Sequence, residues 1–228
     1  MQIGGGEGAG PRYRSIPPRS TGFRGSVPPE ASRPSYADRV TSEEQRLFRP
    51  AARAEDRPRK TRSAVRVVLV NEADQTLLFE DSDPGLPEFR WWVVPGGGMD
   101  PGESEEETAI REVAEETGFV LAPEDLIGPV ARRHVVHGYS DQVLEQHESF
   151  FVARVSAFEV NVAGHTEEEK LTLQQSRWWD RAALAETDEW VWPAQLLELW
   201  DLADHPSAWP LELGRVEEST WPDVVDEV

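Results

Sequence analysis

One segment of the sequence, residues 97–119, constrains the fold more than any other. It opens inside a run of three glycines and closes with Gly118 and an aromatic residue. Ser104 followed three positions later by Glu107 has the form of a capping box, and glycine is the residue best suited to the left-handed position that ends a helix. The segment therefore predicts a glycine turn followed by a helix over residues 105–117.

The predicted helix carries three carboxylates on one face. At about 100° per residue, Glu112, Glu115 and Glu116 fall within one sector of the helix, and the aliphatic side chains of the same turns point towards a sheet on the opposite side. A solvated acidic face would have the same pattern. The glycine run and Glu103 at the helix entrance are features that a solvated face does not require, so the pattern favours a metal site.

The composition restricts which metal such a site could hold. The chain of 228 residues has no cysteine, and its five histidines show no metal-ligand spacing. Disulfides, cysteine-ligated zinc and thiol nucleophiles are therefore excluded. Hard cations such as Mg²⁺ and Mn²⁺ take oxygen ligands and bridge to substrate phosphates, which suits a group of carboxylates without histidine.

The spacing of these residues resembles that of the Nudix box, and every fixed position of that pattern is filled. The residues that carry the resemblance are Gly97, Glu103 after five intervening residues and, after seven more, Arg111-Glu112-Val113-Ala114-Glu115-Glu116-Thr117-Gly118-Phe119. The resemblance implies an α/β fold, a Nudix-like α/β/α sandwich with a mixed β-sheet. It also implies hydrolysis of a nucleoside diphosphate linked to another group, by attack of water on phosphorus.

The resemblance implies a role for each polar residue of the box. Glu112, Glu115 and Glu116 are expected as metal ligands, Glu112 or a glutamate outside the box as the general base, and Arg111 as the residue that orients the carboxylates. Because glycine lets the backbone approach a ligand closely, a carbonyl of Gly96 or Gly97 is a further candidate ligand. The expected roles of Glu103 and Gly118 are structural.

Outside the box the candidates are weaker. Glu168 is the first candidate for an additional carboxylate that acts as base or ligand, and Glu169 is the second. Gln146 and Glu148 alternate on a predicted strand, so both can face one cleft and contact substrate, or they are edge-strand polar residues. Arg90 is a candidate phosphate contact, although an ion pair with one of the many acidic residues would explain it equally well.

The chain divides into three predicted parts. Residues 1–62 are rich in Gly, Pro and Arg and are expected to be disordered, either as a basic arm for RNA or a partner or as a dispensable extension. Residues 63–204 form the predicted catalytic domain, and residues 205–228 an acidic tail. The strands expected in the domain cover about residues 64–70, 76–79, 91–94, 126–136, 148–155 and 177–179, and further helices cover 181–186 and 194–203.

The charge distribution bears on possible partners. The net charge is −20, but residues 1–62 carry +6 and the remainder −26. The acidic body repels nucleic acid, so nucleic-acid binding is not expected. No stretch approaches the roughly 18 apolar residues of a membrane span, and a soluble cytoplasmic protein is expected, with a homodimer as an open possibility.

These observations predict a pyrophosphohydrolase dependent on Mg²⁺ or Mn²⁺ that acts on a nucleotide-type small molecule. A sugar nucleotide, an oxidised deoxynucleoside triphosphate and a capped RNA end all remain open as substrates. The alternative is a non-catalytic module that senses a nucleotide or binds ADP-ribose. Retention of the complete box argues against that alternative.

Overall fold

A computed structural model of the protein describes residues 50–165 and 169–221. Most of the predicted N-terminal arm, the candidate base Glu168 and the last seven residues of the tail lie outside the described residues. The strands are β1 Arg59–Val70, β2 Gln75–Asp83, β3 Leu86–Val93, β4 Leu126–Gly138, β5 Val143–Arg154, β6 Gln175–Asp180, β7 Val191–Trp192 and β8 Leu211–Glu217. The helices are α1 Glu105–Thr117, α2 Glu169–Thr172, α3 Arg181–Glu186 and α4 Leu196–Leu202.

The eight strands form one mixed sheet. Its order is β7-β3-β2-β1-β5-β4-β8, and β6 pairs with the first six residues of β2, from Gln75 to Glu80. Strands β1 and β5 run parallel along twelve residue pairs, from Arg59 opposite Val143 to Val70 opposite Arg154. The β1–β2 and β4–β5 pairs are antiparallel. Parallel strands are normally buried on both faces of the sheet, and their sequences are then apolar at successive positions. The apolar run of β1 has this character.

Alternate residues of β1 enter two separate hydrophobic cores. Val65, Val67 and Leu69 face the core that contains α1, whereas Val68 and Val70 face the core that contains α4. All five side chains are at most 2% exposed. The sheet is thus sandwiched between helices, and the predicted α/β/α architecture with a mixed sheet is confirmed.

Helix α1 begins and ends where its local sequence predicts. The Ser104 hydroxyl accepts the backbone N–H of Glu107, and the Glu107 carboxylate accepts the N–H of Ser104. At the other end Gly118 has φ 74°, in the left-handed region. Ala109 and Val113 pack into the core beneath the helix. This packing fixes the rotation of the helix about its axis, and with it the direction of its carboxylates.

Both ends of the predicted domain differ from expectation. Strand β1 begins at Arg59, so the expected boundary at residue 62 lies inside a strand. At the other end, β8 lies in the predicted tail and pairs in parallel with β4. Residues 218–220, which follow β8, are buried. The described part of the tail therefore belongs to the body. Among the described residues, no helix combines the length and the apolar character that a membrane span needs.

Candidate active site

A cavity of about 670 Å³ opens between β1, the glycine turn and α1. Its lining is rich in charged residues. It contains three basic residues of β1, three aspartates and acidic residues of α1 and α2. The lining residues used below are Lys60, Arg62, Arg66, Asp81, Asp83, Trp91, Gly96, Gly97, Gly98, Glu112, Glu116, Tyr139 and Glu169. A cavity of this size is typical of small-molecule sites.

Three carboxylates meet in this cavity. One oxygen each from Glu112, Glu116 and Glu169 lies within 4.8 Å of the others. Glu112 and Glu116 lie about one turn apart on the same face of α1, and each is 6% exposed. Glu169, the first residue of α2, is half-buried. The structure therefore brings two of the predicted box ligands together with the second candidate from outside the box.

The glycine turn fits closely around these carboxylates. The Gly96 N–H donates to Glu116 Oε2 at 2.8 Å. A Cβ atom on Gly97 would lie 2.6 to 2.7 Å from the carboxyl atoms of Glu112. The Gly97 carbonyl accepts the N–H of Val65 at 2.9 Å, so one of its lone pairs is already used. Its role as a metal ligand stays a prediction.

The electrostatics of the cluster suit a cation. Burial and the adjacent Glu112 charge raise the pKa of Glu116 well above its usual value. Burial also raises the pKa of Glu112. Two buried carboxylates side by side favour a bound positive charge, either a proton or a metal ion. Because every donor atom is an oxygen, the set fits a hard divalent cation such as Mg²⁺ or Mn²⁺.

Arg111 ties the box together from the rim. Its guanidinium donates to both carboxylate oxygens of Glu103 at 2.7 and 2.8 Å and to Glu112 at 2.9 Å. Two further bonds reach Glu115 at 3.1 Å and the Gly98 carbonyl at 3.0 Å. The bonds from Arg111 hold the pKa of Glu103 at about 2. The Glu115 side chain is 49% exposed and lies outside the three-carboxylate cluster, so its role as a ligand remains a prediction.

A second buried network lies behind the β1 wall of the cavity. Arg66 donates to the Gly96 carbonyl at 2.6 Å and to Glu148 Oε1 at 3.1 Å. Arg133 donates to the other Glu148 oxygen at 2.6 Å, and Gln146 donates to Oε1 at 3.2 Å. Burial alone would raise the pKa of Glu148, but Arg133 and Arg66 outweigh it and hold the pKa at about 2.

The predicted substrate contacts lie away from the cavity surface. Glu148 and Gln146 are at most 1% exposed and sit behind Arg62 and Arg66. Arg90 donates to Glu80 at 3.2 Å and is not part of the cavity wall. The structure therefore does not bring these three residues to the carboxylate cluster, and direct contact with substrate stays a prediction for each.

Several cavity residues escaped the sequence analysis. Arg66 had a usable signal, because a charged residue inside an apolar strand run must find a buried partner. Asp81 and Tyr139 had none, since nothing local marks a polar residue near a strand end as facing a cavity. Burial raises the pKa of Asp81 to about 6. Trp91 also lines the cavity and stacks on Trp192 with ring centres 4.4 Å apart.

The family model of the NUDIX domain matches residues 60–200, which is more than half of the chain and includes the cavity and its carboxylates. The chain belongs to the NUDIX family. The match confirms the resemblance drawn from the box. It covers β1 to β7 and most of α4, and it stops short of β8.

Individual relatives match shorter stretches. The chain is 46% identical over 66 residues to the "Putative 8-oxo-dGTP diphosphatase" of Bacillus subtilis, covering 29% of this chain and 41% of that protein. It is 48% identical over 42 residues to the "Uncharacterized Nudix hydrolase YvcI" of the same organism, covering 18% and 27%. The chain thus spans less than half the length of these relatives. The MutT protein structure from Methanosarcina mazei is 21% identical, with coverage of 67% and 97% and a TM-score of 0.44.

Proposed function

We propose that this NUDIX protein is a metal-dependent pyrophosphohydrolase, which cleaves a nucleoside triphosphate or a nucleoside diphosphate linked to another group. The observation that carries the proposal is the meeting of Glu112, Glu116 and Glu169 inside a cavity, with their oxygens within 4.8 Å. The family match supports the same reaction class.

In this proposal Glu112 and Glu116 hold the metal, with Glu115 and the Gly97 carbonyl as additional candidate ligands. A bound Mg²⁺ or Mn²⁺ would neutralise the phosphates, lower the pKa of a bound water and stabilise charge that develops in the transition state. Arg111 keeps Glu112 in place by bonding to it and to Glu103. The glycine turn fixes Glu116 through the Gly96 N–H.

We assign the proton acceptor for the attacking water to Glu169. It is the most exposed of the three clustered carboxylates and lies at the start of a short helix, where water reaches it most easily. A general base has to lie within hydrogen-bond reach of the water that it deprotonates. Glu112 and Glu168, the other candidates from the sequence, are the alternatives that mutation has to separate from Glu169.

The charges that line the cavity bear on the substrate class. Lys60 and Arg62 supply positive charge in a body that is otherwise strongly acidic, whereas the charge of Arg66 is matched by Glu148. Together with a bound metal ion, these two residues suit a polyphosphate. The name of the Bacillus subtilis relative makes 8-oxo-dGTP the first substrate to test. Because Glu112 and Glu116 of the box are present and meet Glu169 in the cavity, hydrolysis is favoured over nucleotide sensing without cleavage.

The test is hydrolysis of 8-oxo-dGTP, dGTP, ADP-ribose and a sugar nucleotide with and without Mg²⁺. We expect turnover of at least one compound that stops when the metal is chelated. Glu116→Gln should lose Mn²⁺ affinity together with turnover, whereas Glu169→Gln should lose turnover and keep most of that affinity. Tight nucleotide binding without any product, from wild-type protein with metal, would overturn the proposal in favour of a sensor.

A further inference from the structure

The segment that follows β8 packs against the back of the cavity. We call Glu218–Trp221 the C-terminal clamp. Its first three residues are at most 8% exposed. Thr220 donates to Asp83, a cavity residue, at 2.6 Å, and the Trp221 carbonyl accepts from the Arg57 guanidinium. The clamp itself lies more than 100 residues beyond the end of α1 along the chain.

Glu218 starts a continuous chain of bonds that ends at the carboxylate cluster. Its two oxygens accept from Arg133 Nη1 and Nη2 at 2.7 and 2.8 Å. Arg133 Nε bonds Glu148, and Glu148 bonds Arg66. Arg66 then holds the carbonyl of Gly96, the residue whose N–H holds Glu116. Every link is a direct hydrogen bond between described residues, except the step within Gly96, where the carbonyl and the N–H are joined through the backbone.

The charges of this chain balance. Two guanidinium groups, Arg66 and Arg133, face two carboxylates, Glu148 and Glu218. The side chains of Glu148, Arg133 and Glu218 are at most 8% exposed, and that of Arg66 is 14% exposed. Loss of one carboxylate leaves an uncompensated buried positive charge, which costs far more than the pair itself contributes. Arg133 Nη1 and Nη2, which now donate to Glu218, would then compete for the oxygens of Glu148. Arg66 would lose its bond to Glu148 and, with it, the position from which it binds the Gly96 carbonyl. Gly96 would then be less firmly placed to hold Glu116 through its N–H.

We propose that Glu218 is a positioning residue for the hydrolytic site, acting through Arg133, Glu148 and Arg66 on Gly96, the residue whose N–H holds Glu116. The proposal rests on the proposed function for its reaction, but the placement of Glu116 that it explains can be measured without turnover. It makes the C-terminal clamp a part of the site, although the clamp lies beyond the family match.

The test compares Glu218→Gln with Glu217→Gln, which makes the same charge change at the neighbouring exposed position. Glu218→Gln should lower kcat about 3- to 30-fold, the range of energetic coupling seen between distant sites, with KM within about twofold. Its dissociation constant for Mn²⁺, followed by electron paramagnetic resonance without substrate, should rise in step. Glu217→Gln should match wild type in all three. Glu218→Asp keeps the charge but shortens the side chain, so its kcat and its Mn²⁺ dissociation constant should lie between those of Glu218→Gln and wild type. If the glutamine variant does not fold, the aspartate variant is used for the test instead.

A double-mutant cycle with Arg66→Lys separates positioning from general loss of stability. If Glu218 acts through Arg66, adding Glu218→Gln to Arg66→Lys should lower kcat no further than Arg66→Lys alone. Effects on kcat that multiply, or an unchanged Mn²⁺ affinity in Glu218→Gln, overturn the proposal. A wild-type protein that binds Mn²⁺ but hydrolyses no nucleotide refutes the proposed function instead, and the Mn²⁺ measurements still decide the role of Glu218.

Discussion

Gly97→Ala tests whether the glycine turn positions the metal site. The new Cβ would lie 2.6 to 2.7 Å from the Glu112 carboxyl carbon and both of its oxygens, where ordinary contacts are 3.4 to 4 Å. The backbone of Gly97 lies outside the left-handed region, so alanine can adopt it. The Glu112 carboxylate therefore has to move by roughly 1 Å, a displacement that typically costs about 100-fold in rate.

The assay is kcat/KM with the best substrate from the panel, together with Mn²⁺ affinity and thermal unfolding. We expect kcat/KM to fall about 100-fold and Mn²⁺ affinity about 10-fold, with a small change in melting temperature. Gly98→Ala is the matched control for Mn²⁺ affinity, because the three atoms nearest to its Cβ, at 2.9 to 3.3 Å, all belong to the flexible side chain of Arg62 and none to a carboxylate. Its kcat/KM is not used for the comparison, since Arg62 lines the proposed substrate cavity. A folded Gly97→Ala protein with kcat/KM within threefold of wild type would refute the reasoning that Glu112 is held in one place.

Three further predictions use the charges of the buried groups. Without metal, Glu116→Gln should unfold at the same or a higher temperature than wild type at pH 8, because the raised pKa of Glu116 means that its charged form opposes folding above that pKa. Burial lowers the pKa of His137 to about 4, so its neutral form is favoured in the folded state. The contribution of His137 to stability should therefore be complete above about pH 6.5 and fall by about 1.4 kcal/mol per unit down to pH 4, whereas the raised pKa of Asp81 gives the opposite trend over part of that range. In His137→Asn the free energy of unfolding, measured by urea titration, should fall less steeply between about pH 6.5 and 4 than in wild type. An unchanged slope would contradict this role of His137. Arg111→Lys should lower kcat about 10- to 100-fold in steady-state assays, because one ammonium cannot bond Glu103 and Glu112 in the bidentate geometry of a guanidinium; a fall below twofold would contradict this.

The sequence predicted best those features that local chemistry determines. The bounds of α1 follow from a capping box and a left-handed glycine, and both act within a few residues of the helix ends. The apolar, β-branched run at residues 64–70 predicted strand β1. It is apolar at successive positions because alternate residues face two different hydrophobic cores. The sandwich architecture then followed from the resemblance to the family.

Features that depend on distant partners could not be predicted in the same way. Strand β8 has a weak pattern, half-exposed and broken by a left-handed glycine at Gly214, and its partner β4 lies about eighty residues earlier. The pairing of Glu148 with two arginines from different strands likewise needs the sheet order. The sequence analysis ranked Glu168 ahead of Glu169, but an acidic loop has no periodicity that tells one side chain from the next, so nothing local could identify Glu169 as the residue that reaches the cluster.

The position of β8 also bears on how the protein can be shortened. Strand β4 has thirteen residues, and β8 covers the side of β4 that β5 leaves open. A fragment trimmed at residue 200, where the family match ends, would leave β4 with a long row of unpaired N–H and C=O groups flanked by valines. Such an edge is a template for pairing with another chain, so the trimmed fragment should aggregate during expression whereas the full chain stays dispersed.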